Sequence, residues 1–228
     1  MPAARRDRSA VAGRLAVAVA LAVLASCGGP QGRAALPPGA CRPADVPPPQ
    51  RVAVPAAFAP RRGAERPRVV IQGFSDFECP YCARAVPTLE RVLAEYGDCV
   101  QIVWRNRPLE YHAHAEDAAR AALEVYRQGG DEAFWRYHDR LFANQSRLSR
   151  ADLIEHARAI GGIDLSALEE ALASGAHRAV IERDLAAVDA IEPRLGAPTF
   201  FVNGTVIHGA RPYETFRDAV EDALRASR

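Results

Sequence analysis

The stretch that decides the fold lies at residues 74–82 and reads FSDFECPYC. It follows the apolar run Val69–Phe74, so it fits a strand that leads into a helix beginning near Pro80. A cysteine at the start of a helix lies among unpaired backbone N–H groups, at the positive end of the helix dipole, and both favour the thiolate. One helical turn brings Cys82 next to Cys79, so the pair can close into a disulfide or resolve a mixed one.

Cys79 is the candidate nucleophile and Cys82 the candidate resolving thiol. Two other interpretations of the same spacing stay open, namely half of a zinc site and a purely structural disulfide across one helical turn. A structural zinc would need a second pair of ligands at ligand spacing. His112 and His114 are available, but their surroundings do not resemble a zinc knuckle.

The last third of the sequence contains the second clear signal. Two β-rich runs, Thr199–Val202 and Thr205–His208, flank the dipeptide Asn203-Gly204. An Asn-Gly pair between two such runs is the strongest short cue for a β-hairpin. A helix over Tyr213–Ala226 is predicted to follow it.

The order of the predicted elements indicates the fold class. A strand over Val100–Trp104 follows the dithiol helix, and a block of helices occupies roughly residues 112–191. Within that block Ser149 has the sequence pattern of a helix N-cap. The order strand, dithiol helix, strand, helical block, hairpin and helix predicts an α/β thioredoxin-like fold. Its helical subdomain is inserted between a βαβ half and a ββα half.

Two stretches resemble the DsbA-like thiol–disulfide oxidoreductases, namely residues 74–82 and residues 196–204, which read GAPTFFVNG. The resemblance extends over about residues 66–226. It implies that the peptide bond between Ala197 and Pro198 is cis and faces the dithiol, leaving the backbone before the proline free to pair with an extended substrate segment. A trans proline that merely begins the next strand is the alternative.

The sequence also departs from that family. Pro80 and Tyr81 are expected to tune the dithiol, and because strongly oxidising members carry histidine in place of Tyr81, the resemblance implies a less oxidising couple. Many members carry a buried acid, which exchanges protons with the resolving thiol, where this chain has Gly73. Asp76 and Glu78 lie close enough in sequence to substitute for it, although solvated loop carboxylates are the simpler expectation for both.

The N-terminus resembles that of an exported protein. Residues 1–26 combine an arginine-rich start with the apolar run Leu15–Ala25, which is too short to span a bilayer comfortably. The run ends in LASCG, which resembles a bacterial lipobox and predicts a signal peptide over 1–26 and lipidation of Cys27. An ordinary secretory signal is the alternative. Residues 27–63 are rich in proline and predict a tether, with the folded domain over 64–228.

Cys41 and Cys99 are the remaining cysteines. A bridge between them would stabilise the domain by roughly 4 kcal/mol, whereas a mobile Cys41 and a free buried Cys99 form the alternative. An exported chain enters a compartment in which disulfides persist. The predicted location is therefore a membrane-anchored lipoprotein facing the periplasm or the cell exterior.

These features predict an enzyme that exchanges disulfides with exported proteins, together with a membrane or soluble redox partner. With 29 basic and 28 acidic residues, the chain offers no basic stripe for nucleic acid, and no cofactor or metal is expected. A reductase fed by a membrane electron donor would use the same residues. A redox-inert adaptor or chaperone is the non-enzymatic alternative, and a glutathione-transferase-like enzyme would not need the CxxC.

Overall fold

The computed structural model describes residues 50, 52–55, 57–191, 193 and 195–226. One sheet contains five strands, β1 (Arg61–Gly63), β2 (Val69–Ser75), β3 (Val100–Asn106), β4 (Thr199–Val202) and β5 (Thr205–His208). Their order in the sheet is β1-β3-β2-β4-β5. β2 and β3 are parallel, and the other neighbouring pairs are antiparallel.

Helices cover both faces of the sheet. They are α1 (Pro80–Tyr96), α2 (Ala115–Phe142), α3 (Arg150–Ile160), α4 (Leu165–Ser174), α5 (Arg178–Asp189) and α6 (Tyr213–Ala226). α1 and α6 pack against each other and against one face, while the other helices come from the segment between β3 and β4. α2 is interrupted at Gly130, whose φ of 63° and ψ of −156° are not helical.

The central strand β2 is buried on both sides, which is typical of a parallel strand between two helical layers. Val69 and Ile71 belong to the main core, together with residues of α1, α6 and the inserted helices. Val70 and Phe74 point to smaller clusters on the opposite face, where Val188 of α5 also packs. The predicted thioredoxin-like fold with a helical insertion is therefore confirmed.

Local sequence signals locate several elements accurately. α1 begins at Pro80, whose missing N–H costs nothing at the first helical position. Asn203, with a φ of 50°, turns the chain between β4 and β5 as the Asn-Gly pair predicted. Ser149 caps α3 by accepting a hydrogen bond from the backbone N–H of Asp152.

The predicted start of the domain at Ala64 is wrong. β1, which lies within the predicted tether, pairs with β3, and Val52 and Ala59 are buried. The carbonyl of Val52 accepts a hydrogen bond from Gln72 in the middle of β2. Proline-rich composition indicates a linker, yet this short edge strand and the segment before it use tertiary contacts that composition does not show.

Several predictions concern residues outside the described part of the chain. The signal peptide over 1–26, Cys27, Cys41 and most of the tether lie there. Cys99 is buried and disulfide-bonded, and its partner also lies outside the described residues. Among the helices that the structure describes, none is both long enough and apolar enough to cross a membrane.

A buried ion pair connects the insertion to the sheet. The guanidinium of Arg105 in β3 lies 2.9 Å from a carboxylate oxygen of Asp184 in α5, and both side chains are almost completely buried. Asp184 also accepts hydrogen bonds from the backbone and side-chain amides of Asn106. Arg105 donates as well to Gln72 and to the carbonyl of Ala53. This network holds α5 and the N-terminal segment against the same strand.

We predict that Asp184→Asn lowers the free energy of unfolding by about 3–5 kcal/mol, because it leaves the buried charge of Arg105 uncompensated. Urea unfolding of the full chain measures the loss. Glu155→Gln is the matched control, since Glu155 pairs with Arg147 at the exposed surface and its loss costs less than about 1 kcal/mol. Equal losses in the two variants would show that the buried network does not stabilise the fold.

Candidate active site

The dithiol lies where β2 leads into α1. Cys79 is the N-cap of α1, with the extended φ and ψ of −73° and 121°. Its carbonyl accepts hydrogen bonds from the backbone N–H groups of Cys82 and Ala83, at 3.0 and 3.2 Å. The thiol of Cys79 therefore lies beside the first unpaired N–H groups of the helix, as the sequence predicted.

Both cysteines are free thiols, and both are buried. Cys79 is 3% exposed and Cys82 is 2% exposed. Gln145, in the connection after α2, donates to the carbonyls of Phe77 and Cys79. The insertion therefore contacts the backbone of the active-site turn directly.

The peptide bond between Ala197 and Pro198 is cis, as predicted. The carbonyl oxygen of Ala197 lies 3.5 Å from the sulfur of Cys79, within reach of its thiol. The two stretches that carry the family resemblance therefore meet at the reactive sulfur, although 118 positions separate these two residues.

The two thiols have opposite electrostatic environments. The pKa of Cys79 is lowered to about 6, first because the thiol of Cys82 donates a hydrogen bond to its thiolate, and further because of the N–H groups of Cys82 and Tyr81. Burial and the charge of Asp76 oppose this shift. The pKa of Cys82 is raised, mainly by burial and then by its neighbour Cys79. At neutral pH the pair therefore holds one thiolate and one thiol.

Asp76 is buried, contrary to the expectation of a solvated loop carboxylate. Its oxygens accept hydrogen bonds from the N–H groups of Glu78 and Leu109 and lie 2.7 Å from a ring nitrogen of His112. Its own N–H donates to the sulfur of Cys82 at 3.4 Å. Asp76 therefore joins the active-site turn to the loop after β3.

The other residues that the sequence singled out near the dithiol are Glu78, Tyr81 and Gly73. Glu78 is half-buried and accepts a hydrogen bond from the N–H of His114. The side chain of Tyr81 is 55% exposed, and the guanidinium of Arg84 lies over its ring. A Cβ atom at Gly73 would lie 3.1 Å from the ring of Phe200, so that ring would have to give way to any side chain there.

The sequence did not indicate Gln145 as a member of the site, and it offered His112 only as an available ligand for a zinc site. Both lie in connections outside the two signature stretches, and only the folded chain brings them to the dithiol. Within the described ranges, no cluster of three or more histidine, cysteine or acidic side chains could hold a metal ion.

A groove of about 550 Å³ reaches Gly196, the residue before Ala197. The loop Arg107–Tyr111 forms one wall, and Leu195 and Gly196, which precede the cis bond, form another. Leu185 and Asp189 of α5 complete the lining. The side chain of Arg107 donates to the carbonyl of Leu195, so the two walls are connected directly.

The family model described as Thioredoxin matches residues 59–222. A segment of the Na(+)/H(+) antiporter NhaA 3 of Salinispora tropica is 39% identical to this chain over 168 residues, which are 73% of the chain and 25% of the antiporter. NhaA 1 of Salinispora arenicola is 38% identical, with the same coverage. The chain thus spans about a quarter of the length of these curated relatives.

Solved structures share the fold. A thioredoxin-like oxidoreductase from Silicibacter pomeroyi superposes with a TM-score of 0.63 at 26% identity, over 74% of this chain and 94% of that one. A periplasmic thioredoxin-like protein from Salmonella enterica serovar Typhimurium superposes with a TM-score of 0.60 at 25% identity, over 74% of this chain and 91% of that one. For BdbD from Bacillus subtilis the TM-score is 0.69 at 22% identity, over 80% of this chain and 100% of that one. The chain belongs to the thioredoxin family.

Proposed function

We propose that this protein exchanges disulfides with exported protein substrates, with Cys79 as the nucleophile and Cys82 as the resolving thiol. The observation that carries the proposal is the asymmetry of the two sulfurs. Cys79 lies at the helix start, faces the carbonyl of Ala197 and has a pKa of about 6, whereas burial raises the pKa of Cys82. A structural disulfide would not require one of its cysteines to be held as a thiolate.

The exchange proceeds in two displacements. The thiolate of Cys79 attacks one sulfur of a substrate disulfide, and the other substrate sulfur leaves as a thiolate. Cys82 then loses its proton and attacks the sulfur of Cys79, which releases the second substrate thiolate and closes the disulfide between Cys79 and Cys82. Two electrons pass from the dithiol to the substrate. The same steps in reverse oxidise a substrate dithiol, and a membrane or soluble redox partner resets the enzyme.

Ala197 and Pro198 are proposed to bind the substrate through the backbone. A polypeptide segment placed in the adjoining groove would run past the carbonyl of Ala197, which lies next to the reactive sulfur. Pro80 and Tyr81 are proposed to tune the dithiol. Pro80 has no N–H to offer, while the backbone N–H of Tyr81 helps to lower the pKa of Cys79.

We also propose that the chain is exported and anchored by lipid at Cys27. The signal-like residues 1–26 support this, as does the likeness to a periplasmic protein of known structure. Two or more acyl chains anchor a protein stably. Lipidation leaves Cys27 without a thiol, so Cys41 becomes the partner proposed for the disulfide-bonded Cys99.

Substitution of the dithiol tests the proposed reaction. We expect Cys79→Ser to abolish thiol-dependent reduction of insulin, and Cys82→Ser to trap a mixed disulfide that non-reducing gels and mass spectrometry detect. Ser174→Ala, at the end of α4, is the control and keeps wild-type turnover. Wild-type turnover in either cysteine variant would refute the assigned roles.

The rate of alkylation of Cys79 by iodoacetamide should rise with pH around a midpoint of about 6 in the reduced protein, because only the thiolate reacts. Cys82→Ala removes the main hydrogen bond to that thiolate. The midpoint should then rise by roughly one to two pH units, since such a bond contributes about 1.5–3 kcal/mol. Cys82→Ser retains a donor and serves as the matched control. A midpoint that Cys82→Ala does not move would contradict the stated cause of the low pKa.

Mass spectrometry of the protein made in a bacterial host tests the anchor. We expect an N-terminal peptide that begins with acylated Cys27, and an unreduced digest in which Cys41 is linked to Cys99. Cys27→Ala should move the protein from the membrane fraction to the soluble exported fraction. A mature chain with unmodified Cys27 in the wild type would refute lipidation.

A further inference from the structure

The proposed reaction requires a proton to leave Cys82 and to return in the reverse direction. In the reduced pair the thiolate of Cys79 accepts from this thiol, but that acceptor is lost once Cys79 is joined to the substrate. The N–H of Asp76, 3.4 Å from the sulfur of Cys82, is a donor and cannot take the proton. Cys82 is 2% exposed, so bulk water does not supply an easy route. The proton needs an acceptor inside the protein.

A small cavity adjoins Cys82 on the inner side of α1. Its volume is about 30 Å³, which is enough for one or two water molecules. Ser75 and Gly73 of β2 line it, together with Trp104 of β3 and His138 of α2. The cavity therefore places Cys82 and a histidine ring around one common space.

His138 is 6% exposed and lies in an aromatic cage. The ring centroids of Trp135, Phe142 and Trp104 lie 4.7, 4.8 and 5.1 Å from its own. Its Nδ1 atom is 2.7 Å from a carboxylate oxygen of Asp139, so Nδ1 carries the proton and Nε2 is left as an acceptor. Within the described part of the chain, no group forms a hydrogen bond with Nε2.

From His138, a series of paired side chains leads to the protein surface. The side chain of Asp139 is 42% exposed and pairs with Arg62 of β1 at 2.7 Å. Arg62 and the exposed Glu90 of α1 also line the outer part of the cavity. The charged or titratable groups that face the cavity are thus Cys82, His138, Glu90 and Arg62. Of these, the neutral imidazole is the buried base.

We propose that His138, oriented by Asp139, accepts the proton of Cys82 through water in this cavity during the resolving step. Cys82 then attacks the sulfur of Cys79 in the mixed disulfide, the Cys79–Cys82 bond forms and the substrate sulfur leaves with its electron pair. The proton stays on the imidazole until it passes to solvent by way of Asp139. In the reverse reaction the same groups return a proton to the departing thiolate of Cys82.

The protonation state of His138 fits this task. Burial lowers the pKa of His138 below its ordinary value, while the hydrogen bond to Asp139 works in the opposite direction. The imidazole is therefore neutral at neutral pH, with Nε2 unprotonated. Burial makes it a weaker base than an exposed histidine, and the hydrogen bond to Asp139 offsets part of that loss. The inference depends on the proposed function, since without disulfide exchange Cys82 would have no proton to lose.

A two-step assay on the full chain separates the inference from the proposed function. Reduced protein is mixed with dithiobis(nitrobenzoate), whose thiolate product is coloured. The first release of colour reports attack by Cys79, and the second reports resolution by Cys82. We expect His138→Gln to leave the first rate unchanged and to slow the second roughly tenfold at neutral pH. This is less than the roughly hundredfold that a positioned base typically contributes, because water in the cavity can partly replace the base. The second rate should also depend more steeply on pH.

His156→Gln is the matched control, because His156 is equally buried in the insertion and does not line the cavity. It should leave the second rate unchanged. Asp139→Asn should also slow the second step. This variant keeps the inference testable if His138→Gln does not fold. An unchanged second rate in both His138→Gln and Asp139→Asn, or in whichever of the two folds, would overturn the inference. The inference would also be overturned if Glu90→Gln were the only variant that slowed the second step. Absence of the first release in the wild type would instead refute the proposed function.

Discussion

The electrostatics of the dithiol depend on one interaction, namely the hydrogen bond that the thiol of Cys82 donates to the thiolate of Cys79. It is the main cause of the low pKa of Cys79, and it exists only because α1 places the two sulfurs one turn apart at its start. Burial, and then the same bond, raise the pKa of Cys82, which favours the state that can donate. The two sulfurs are therefore unlike, and this difference is the basis of the two roles proposed for them.

Asp76 fixes the active-site turn by its hydrogen bonds, and its charge opposes the thiolate of Cys79. Its buried carboxylate opposes the thiolate of Cys79, yet it also receives N–H groups from two loops and a ring nitrogen of His112. The backbone N–H of the same residue reaches the sulfur of Cys82. Those bonds fix the turn that holds the dithiol. Helix position and the bond from Cys82 outweigh the unfavourable charge, since the pKa of Cys79 is still about 6.

Local signals were sufficient for the fold, because Pro80 at a helix start and Asn203-Gly204 at a hairpin each specify their own conformation. The CxxC spacing located the dithiol, and the family resemblance implied the cis proline. Sequence reasoning failed where a position depends on distant contacts. The burial of Asp76, the contact of Gln145 with the active-site turn and the packing of Val52 arise from residues far away in sequence. Composition and spacing do not show such contacts, so the limits of the domain and the surroundings of the dithiol could not be predicted.

In the reaction proposed above, the helical insertion takes part in the chemistry as well as in the fold. β2 contributes Gly73 to the cavity, and the buried base that lines the same cavity, His138, comes from α2. A neutral base adds no negative charge when Cys82 becomes a thiolate, whereas an ionised acid at the same place would raise the pKa of that thiol further. Placing the base on the insertion also makes proton transfer depend on how α2 docks. The sheet then sets the geometry of the sulfurs, and the insertion sets how readily the second of them reacts.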